Sequence, residues 1–418
     1  MIGDQTVSSS LYVPTISQGQ ASWLDPSGNK IIYAGTPAAV DPRITWQDIA
    51  TLDFGFDARF FNGELGVTFD WYQRDTKNMI VPGEGVTWTF GAGSPKGNFG
   101  SLRTRGWELS IDYNHRFENG LGINAMVSLS DAQTEITAYG DTKSIDSWYI
   151  GKKYGEIWGY RTDRLYQKDD FVYADGKLVT VWALNGKEVP ANTPGAKEMN
   201  KLKDPNGVYQ DYFQTGTIKF GPGDVKYKDV NGDGVITTDD EVPLGYRQQP
   251  GLQYGIGLSA SWKNWNFSML LQGTGKCDFF VGGSGPHAFH DGRTGNILQV
   301  MVDGNRWIPK EISGTEATEN PNADWPRLTY GNNNMNNRAS TFWLKDRKYL
   351  RLRNVELSYD FPQVWTRKFL VSNLRLGFIG QNLFTWAPFD WWDPEGTNES
   401  GSSYPINKTF SCYLQFSF

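Results

Sequence analysis

The stretch from Asp229 to Asp240, DVNGDGVITTDD, has the residue types and spacing best suited to chemistry. Oxygen donors stand at its positions one, three, five, seven and twelve, and Gly234 at position six permits a sharp bend. This spacing predicts a Ca²⁺ loop with the ligands Asp229, Asn231, Asp233, Val235 through its backbone carbonyl, and Asp240. Asp instead of Glu at position twelve shortens the reach and predicts weak binding. The alternative is an Asp/Asn/Gly turn without metal. A bound ion would brace a long loop.

The other motifs that could carry chemistry do not predict an enzyme. GIGLSA, residues 255–260, lies inside an alternating strand without a following helix, and GTGK, residues 273–276, lacks the Ser/Thr of a phosphate loop. His287, His290 and Asp291 offer no fourth ligand in register for a transition metal. No Ser/His/Asp spacing or carboxylate pair suggests an active site, so no catalytic residue is predicted.

Alternating apolar and polar residues organise the chain into strands. The last residues, TFSCYLQFSF, have one apolar face and one face of small or polar residues. The apolar face includes Phe410, Leu414, Phe416 and Phe418. Four predicted hairpins precede this strand, at residues 52–71, 107–129, 252–271 and 349–380. In the fourth hairpin the alternation changes phase, which predicts a β-bulge near Arg353 and Asn354.

The connections between these strands are alternately short and long. The long ones run over about residues 76–105, 132–251, 274–347 and 387–408. An outer-membrane barrel has short periplasmic turns and long extracellular loops, whereas a soluble sandwich has no reason to sort its loops. We therefore predict an all-β, antiparallel transmembrane β-barrel portion of about nine strands, or up to about thirteen if the long segments each hide a hairpin. Residues 154–166 are the best candidate for a hidden strand pair.

The composition agrees with a chain that crosses a membrane with strands. The mean hydropathy is −0.51, and no apolar run approaches the roughly eighteen residues that a spanning helix needs. The net charge is −6 with scattered basic residues, which does not suggest a nucleic-acid partner. Cys277 and Cys412 lie in dissimilar segments, so no disulfide is expected. Residues 1–45 are expected to form an irregular, extracellular-type loop segment, and residues 46–418 the barrel portion.

The aromatic residues fall into two sets. Those near predicted strand ends fit the girdles of membrane interfaces, namely Trp71, Trp107, Trp262, Trp265 and Trp386. Those in predicted loops could stack on sugars or peptides, or instead pack a loop core: Trp88, Trp182, Trp325, Trp391 and Trp392. His115, near a strand end, is expected at the interface. On the polar face of the second hairpin, Glu108, Asp112 and Arg116 are predicted to face the lumen and to tune what passes.

Several sequence blocks occur together in a fixed order. DVNGDGVITTDDEVPLG precedes a strand with Pro250, Tyr254 and Gly255, and then follow YLRLRNVELSYDFP, LRLGFIGQNLFTW, DPEG and YPINKTFSCYLQFSF. This combination resembles the C-terminal half of the SusC/RagA-type TonB-linked outer-membrane transporters of Bacteroidetes. The resemblance implies a large barrel in the cell outer membrane, plugged by an N-terminal domain, capped by a SusD-like surface lipoprotein and powered by TonB. It also implies that the substrates are oligosaccharides or peptides.

The resemblance carries further expectations about partners. The last strand would be the signal that the barrel assembly machinery reads, and outer-membrane lipid would surround the apolar faces. A signal peptide, a TonB box and a plug domain are expected to be absent from this sequence, so TonB would act through a missing N-terminal part. A second hypothesis from another class is a secreted, soluble Ca²⁺-binding β protein that binds glycans through its loop aromatics. The two hypotheses differ in what the apolar strand faces contact.

Overall fold

An antiparallel sheet of nine strands forms the frame of the molecule. The computed structural model describes residues 16–37, 39–83, 87, 89, 91, 93–139, 149–216, 218–246, 249–289, 297–329, 335–396 and 398–417. Its strands are β1 (Asp48–Phe60), β2 (Leu65–Pro82), β3 (Lys96–Arg116), β4 (Gly122–Tyr139), β5 (Leu252–Trp262), β6 (Trp265–Gly275), β7 (Tyr349–Asp360), β8 (Asn373–Trp386) and β9 (Thr409–Ser417). Each strand pairs with its neighbour in chain order, which confirms the predicted antiparallel architecture. Within the described residues β1 and β9 each have one sheet neighbour, so the sheet is open.

The two faces of the sheet differ in polarity because side chains alternate along each strand. One face carries rings and aliphatic groups, and several of them are strongly exposed: Phe54 by 61%, Phe378 by 56% and Phe410 by 78%. The other face carries mainly small and polar side chains. A whole sheet face of exposed rings suits contact with lipid rather than water. We therefore assign the apolar face as the outward surface and the polar face as the lumen wall.

Three tight turns, residues 61–64, 117–121 and 263–264, lie at one end of the sheet together with a longer connection, residues 361–372. The connections at the other end are residues 83–95, 140–251, 276–348 and 387–408, so the predicted sorting holds except that residues 361–372 are about as many as residues 83–95. In the first turn Asn62 and Gly63 have φ values of 54° and 91°, a region that Gly and Asn adopt most readily. The first long connection is shorter than predicted, because β2 and β3 stay paired as far as Pro82 and Lys96.

The predicted bulge in β7 is confirmed at Arg353. Leu352 pairs with Leu271 of β6 and Asn354 pairs with Leu270, so Arg353 is the extra residue between them. The pairing with β8 shifts at the same place. The bulge restores the outward position of the apolar residues that follow it, which explains the change of phase in the sequence.

The described parts of the three longest connections fold into what we call the loop body, residues 149–251, 276–348 and 387–408. Its strands are Ile157–Gly159, Thr162–Leu165, Tyr173–Ala174, Lys177–Leu178, Thr180–Leu184, Lys187–Val189, Lys197–Asn200, Val225–Tyr227, Val242–Leu244, Asp278–Phe280 and Leu344–Asp346. Its α-helices are Gln299–Asp303 and Lys310–Ser313, and its 3₁₀ turns are Lys168–Asp170, Asp211–Phe213, Thr238–Asp240 and Glu316–Thr318. The prediction of hidden barrel strands in residues 154–166 is wrong, because both short strands of that stretch pair inside the loop body.

Two clusters of buried side chains hold the loop body together. The first loop cluster surrounds Phe213, Val225 and Tyr227 and extends to Trp307 and Met335. The second loop cluster contains Phe279, Val281, Met301, Trp325, Trp343 and Phe389. Both buried clusters consist of side chains from the connections, so the hydrophobic core of the described residues lies there rather than between packed sheets.

Two further segments complete the described structure. Gln18–Leu24 pairs with Lys30–Ala34 in a hairpin, which corrects the expectation of an irregular segment over residues 1–45. Asp25 closes its turn by accepting hydrogen bonds from the backbone N–H groups of Ser27 and Asn29, at 2.9 and 2.8 Å. At the short-turn end are the 3₁₀ turns Phe61–Gly63 and Arg367–Phe369 and the α-helix Gln363–Thr366. None of the helices in the described residues is long and apolar enough to cross a membrane.

Candidate functional site: lumen wall and loop body

The first lumen groove is an open space of about 510 Å³ on the polar face of β2 to β6. Asp70 of β2 stands directly opposite Glu108 of β3, and both line this groove. The neighbouring wall consists of hydroxyl and amide groups, from Thr68, Ser128 and Gln253 among others. Strand alternation produces this wall, because the inward residues of β2 to β6 are small or polar. The groove can offer hydrogen-bond donors, acceptors and negative charge to a polar solute.

A second lumen groove of about 320 Å³ lies nearer the short turns. Arg375 of β8 forms an ion pair with Asp360, with Nε 2.6 Å from Oδ1. Tyr413 of β9 donates a hydrogen bond from its hydroxyl to Glu356 at 2.6 Å. Glu356 and Arg375 both line the groove. These contacts fix charged groups of both signs on the wall.

The three residues predicted to face the lumen lie on the polar face of β3. Glu108 lines the first lumen groove. Asp112 is paired with Arg59 of β1, with Nη1 2.6 Å from Oδ2. Arg116 is exposed at the short-turn end. The structure therefore separates them along the strand, where they belong to different parts of the wall.

A charged cluster where β7 meets the last long connection was not predicted as a site. Arg351 is 2% exposed, and its Nη2 lies 2.5 Å from Asp393 Oδ1. Arg353, displaced by the bulge, pairs with Glu395 and also donates from Nε to Gln272 Oε1 at 3.0 Å. The cluster attaches residues 393–395 to the barrel wall. The signal in the sequence was YLRLRN together with DPEG, two blocks that were quoted for the resemblance without roles for their charges.

The loop aromatics mostly pack the loop body. Trp325 is 3% exposed in the second loop cluster and stacks on Trp391 with ring centroids 4.4 Å apart, as the loop-core alternative describes, so its ring does not face a substrate space. Trp392 packs against Phe389 at 4.8 Å, so its ring is also engaged within the loop body. Trp182 is half-buried in Thr180–Leu184. Trp88 lies outside the described residues, as do His290, Asp291 and Phe418.

The predicted calcium loop forms a compact turn. Asp229 accepts hydrogen bonds from the N–H groups of Gly232 and Gly234 at 2.7 and 2.8 Å. Asp240 is fully buried, and its two carboxylate oxygens accept N–H groups of Val230 and Thr237 at 2.7 and 2.9 Å. Asp240 thus braces the loop from within, whereas Asn231 and Asp233 are exposed. Among the described residues no three acidic, His or Cys side chains are grouped to hold a metal ion.

Burial shifts the pKa values of several ionisable groups in the loop body. It raises the pKa of the Cys277 thiol and that of the Asp278 carboxyl, which accepts a hydrogen bond from the Tyr246 N–H at 2.5 Å. It lowers the pKa of Lys345, whose Nζ lies 5.1 Å from the centre of the Trp391 ring. These groups lie on or directly before the paired strands Asp278–Phe280 and Leu344–Asp346 of the loop body.

Comparison with known proteins agrees with this architecture. No family model matches the chain. The TonB-dependent receptor P26 of Formosa agariphila is 27% identical over 391 residues, which are 90% of this chain and 35% of the receptor. The TonB-dependent receptor SusC of Bacteroides thetaiotaomicron is 23% identical over 425 residues, which cover 100% of this chain and 36% of SusC. The chain therefore spans about a third of the length of these curated relatives.

Solved structures show the same fold. The RagAB peptide importer in its open-open state matches with a TM-score of 0.65 at 17% identity, covering 100% of this chain and 39% of that chain. A second structure of the RagAB peptide transporter matches with a TM-score of 0.62 at 18% identity, covering 97% and 38%. At such identities the likeness concerns the fold alone.

The outward apolar face and the polar wall define the class of fold, an antiparallel β-barrel of the outer-membrane type. Within that class the chain is similar to TonB-dependent receptors, SusC among them, and shares the fold of the RagAB structures, in agreement with the resemblance that the sequence blocks carry. The relatives are named as receptors and transporters rather than enzymes, in line with the sequence prediction. The exposed rings of the outward face speak against the secreted, soluble alternative.

Proposed function

We propose that this chain forms part of an outer-membrane importer that takes up oligosaccharides or peptides with energy supplied through TonB. The observation that carries the proposal is the polar lumen wall, with its 510 Å³ groove and facing carboxylates Asp70 and Glu108, behind a lipid-facing outer surface. Solutes that are rich in hydrogen-bonding groups match such a wall. The relatives named as TonB-dependent receptors and as a peptide importer support the same direction of transport.

The proposal includes partners at both ends of the barrel. A SusD-like surface lipoprotein would cover the loop body, and TonB would act through an N-terminal part of the complete transporter. The barrel assembly machinery would read the last strand through Phe410, Leu414, Phe416 and Phe418. Lipid contact fits the first three of these, since Phe410, Leu414 and Phe416 are exposed on the outward face of β9.

Uptake by cells tests the import proposal. Cells with the complete transporter should accumulate fluorescent oligopeptides or oligosaccharides, and a protonophore should abolish the accumulation. The double variant Asp70→Asn with Glu108→Gln should lower uptake of cationic oligopeptides several-fold relative to neutral ones, because it removes two negative charges from the groove. The matched control, Glu311→Gln with Glu316→Gln, removes two exposed loop charges and should leave uptake unchanged. Unimpaired uptake of both substrate classes in cells lacking the transporter would contradict the proposal.

We also propose that Ca²⁺ binds weakly to the loop of Asp229, Asn231, Asp233 and Val235, which Asp240 closes. The spacing of the oxygen donors supports this, together with hydrogen bonds from Gly234 N–H to Asp229 and from Val235 N–H to Asp233, each 2.8 Å. The ion would brace the loop body rather than contact a substrate.

Calorimetric titration with Ca²⁺ tests this site. The wild-type protein should release binding heat that the double variant Asp229→Ala with Asp233→Ala does not. Mg²⁺ should produce a smaller heat, because the loop offers flexible oxygen ligands rather than a tight octahedron. Equal heats from wild type and variant would remove the site.

A further inference from the structure

A groove lies on the outer wall of the barrel, separate from the lumen. The proposed transport function gives no role to its charged residues. Its volume is about 540 Å³, and it lies where β3 and β4 meet the loop body, next to Gly251 just before β5 and Lys276 just after β6. The side chains that matter for its chemistry are Arg105, Trp107, Asp131, Lys153, Tyr246 and Lys276. We propose that this groove binds the phosphorylated sugar headgroup of a glycolipid in the outer leaflet of the membrane.

Strand register places the groove on the lipid side. Trp107 pairs with Trp71 on β2 and with Asp131 on β4, and Trp71 pairs with the exposed Phe54 on β1. Residues paired in this way share one face of a sheet, so all of them face outward. Arg105 lies two residues beyond Trp107 toward the long-connection end and therefore also faces outward.

The height of the groove matches the lipid headgroups. Below it the outward row of Phe54, Trp71 and Trp107 has the character of an aromatic girdle, which lies at the boundary between acyl chains and headgroups. Above that row the outward side chains become charged. One example is the ion pair of Asp75 with Arg103, in which Oδ1 and Nε are 2.6 Å apart. The loop body covers the groove at Lys153, whose backbone forms an isolated β-bridge with Glu135 of β4.

The charges that line this groove favour binding of a phosphate group attached to a polar molecule. Three cations, Arg105, Lys153 and Lys276, face two carboxylates, Asp131 and Glu156, which leaves one positive charge in excess. Lys276 is held by Asp131, with Nζ 2.5 Å from Oδ2. Arg105 uses only Nε to bond Gln73, at 2.9 Å, and its other four N–H donors are not used in that bond. A guanidinium can bind a phosphate through two parallel hydrogen bonds.

The other residues that line the groove suit the sugar part of the headgroup. Tyr246 is 58% exposed, and its ring and that of Trp107 offer flat apolar surfaces for the faces of a sugar. Asp131 and Gln133 offer acceptors and donors for its hydroxyl groups. The volume is within the range of sites for small organic ligands. The inference rests on the outer-membrane location of the barrel and is independent of the substrate that the lumen carries.

Lipid titration of the full chain in neutral phosphatidylcholine nanodiscs tests the proposal. Native mass spectrometry would count bound molecules of a bisphosphorylated glucosamine-disaccharide glycolipid and of the same lipid after dephosphorylation. The phosphorylated form should bind at least tenfold more tightly. The double variant Arg105→Gln with Lys153→Gln should lose this preference, and Arg105→Lys should retain part of it, because a lysine keeps the charge without the fork.

The matched control is Arg43→Gln with Lys310→Gln, which removes the same two residue types from exposed sites where each pairs with a local carboxylate. It should bind the phosphorylated glycolipid as the wild type does. Circular dichroism would verify that both double variants keep the strand content. Equal binding of the two lipid forms, or an unchanged preference in the Arg105 and Lys153 variant, would overturn the proposal. Displacement of the glycolipid by equimolar inorganic phosphate would also overturn it, since the site would then be one for free phosphate.

Discussion

Asp224 is a fully buried charge of the loop body that several partners hold. It is fully buried and binds Arg327 through two contacts, 2.9 Å from Nε and 2.7 Å from Nη2. It also accepts hydrogen bonds from the Asn336 side chain at 2.8 Å and from the Gly221 N–H at 2.9 Å. One carboxylate thus joins two loop segments that lie far apart in the sequence. This raises the cost of its loss, because Arg327 would remain largely buried without its partner.

We expect Asp224→Ala to lower the free energy of unfolding of the loop body by about 3–5 kcal/mol. Hydrogen exchange should show faster exchange at residues 221–227 and 335–343, while the strands of the sheet should be unaffected. Glu316→Ala, which removes an exposed partner of Lys310, is the control and should produce no measurable change. Similar exchange in both variants would show that Asp224 does not hold the two segments together.

Single residues differ in how well the sequence predicts them. The bulge at Arg353 was predictable because its neighbours change parity, and Glu108 was predictable because it alternates with Trp107. Burial of Trp325 and of Asp224 was not predictable, since each depends on segments that meet only in three dimensions. The backbone hydrogen bonds that Asp240 accepts were not predictable either, because the spacing indicates its oxygen donors but not the N–H groups that they contact. Local pattern determines the facing of a strand residue, whereas loop contacts depend on the complete arrangement of the chain.

At the scale of elements, the assignment of the two sheet faces has a direct consequence for substitutions. Val127 and Ser128 are neighbours on β4, and they point to opposite faces. Val127 pairs with Ile111 and Ile256 on the outward face, while Ser128 lines the first lumen groove. The same substitution at the two positions therefore compares lipid with lumen at one height in the barrel.

We expect Val127→Arg to cost about 2–4 kcal/mol, because it places a charge among lipid chains. Ser128→Arg should be tolerated, because its side chain enters an aqueous space lined by carboxylates. The yield of folded barrel in outer-membrane fractions would measure both effects. Equal yields for the two variants would contradict the assignment of the faces.

The sequence also predicted the elements unevenly. All nine sheet strands and the order of short and long connections could be predicted from period-two alternation, since that pattern is local. The strands of the loop body could not, because they are short and their clusters combine side chains from three connections. The hairpin of residues 18–34 was missed for a related reason: its apolar runs are brief on both sides of the turn at Asp25.

At the scale of the whole molecule, the sheet has two strands with a free edge in the described residues, β1 and β9. Unpaired backbone N–H and C=O groups are costly in lipid, so such edges require strands to pair with. The chain spans only about a third of its curated relatives, and those relatives have ample further length for such strands.

We therefore expect the chain refolded alone to show no heat-modifiable shift in gel mobility, because β1 and β9 do not pair with each other. The complete transporter, treated identically, should change its gel mobility on heating, because a closed barrel stays folded until it is heated. A clear shift for the isolated chain would mean that its own strands close into a small barrel.

The contact between the first and second parts of the loop body bears on the order of assembly. Tyr160 donates its backbone N–H to Ala339 O at 2.9 Å, and Phe213 packs with Tyr160 and Tyr227 in the first loop cluster. The hairpin of β5 and β6 lies between residues 160 and 339 in the sequence, so this contact joins the connection before the hairpin to the connection after it. The first loop cluster is therefore complete only when both connections and the hairpin between them are in place.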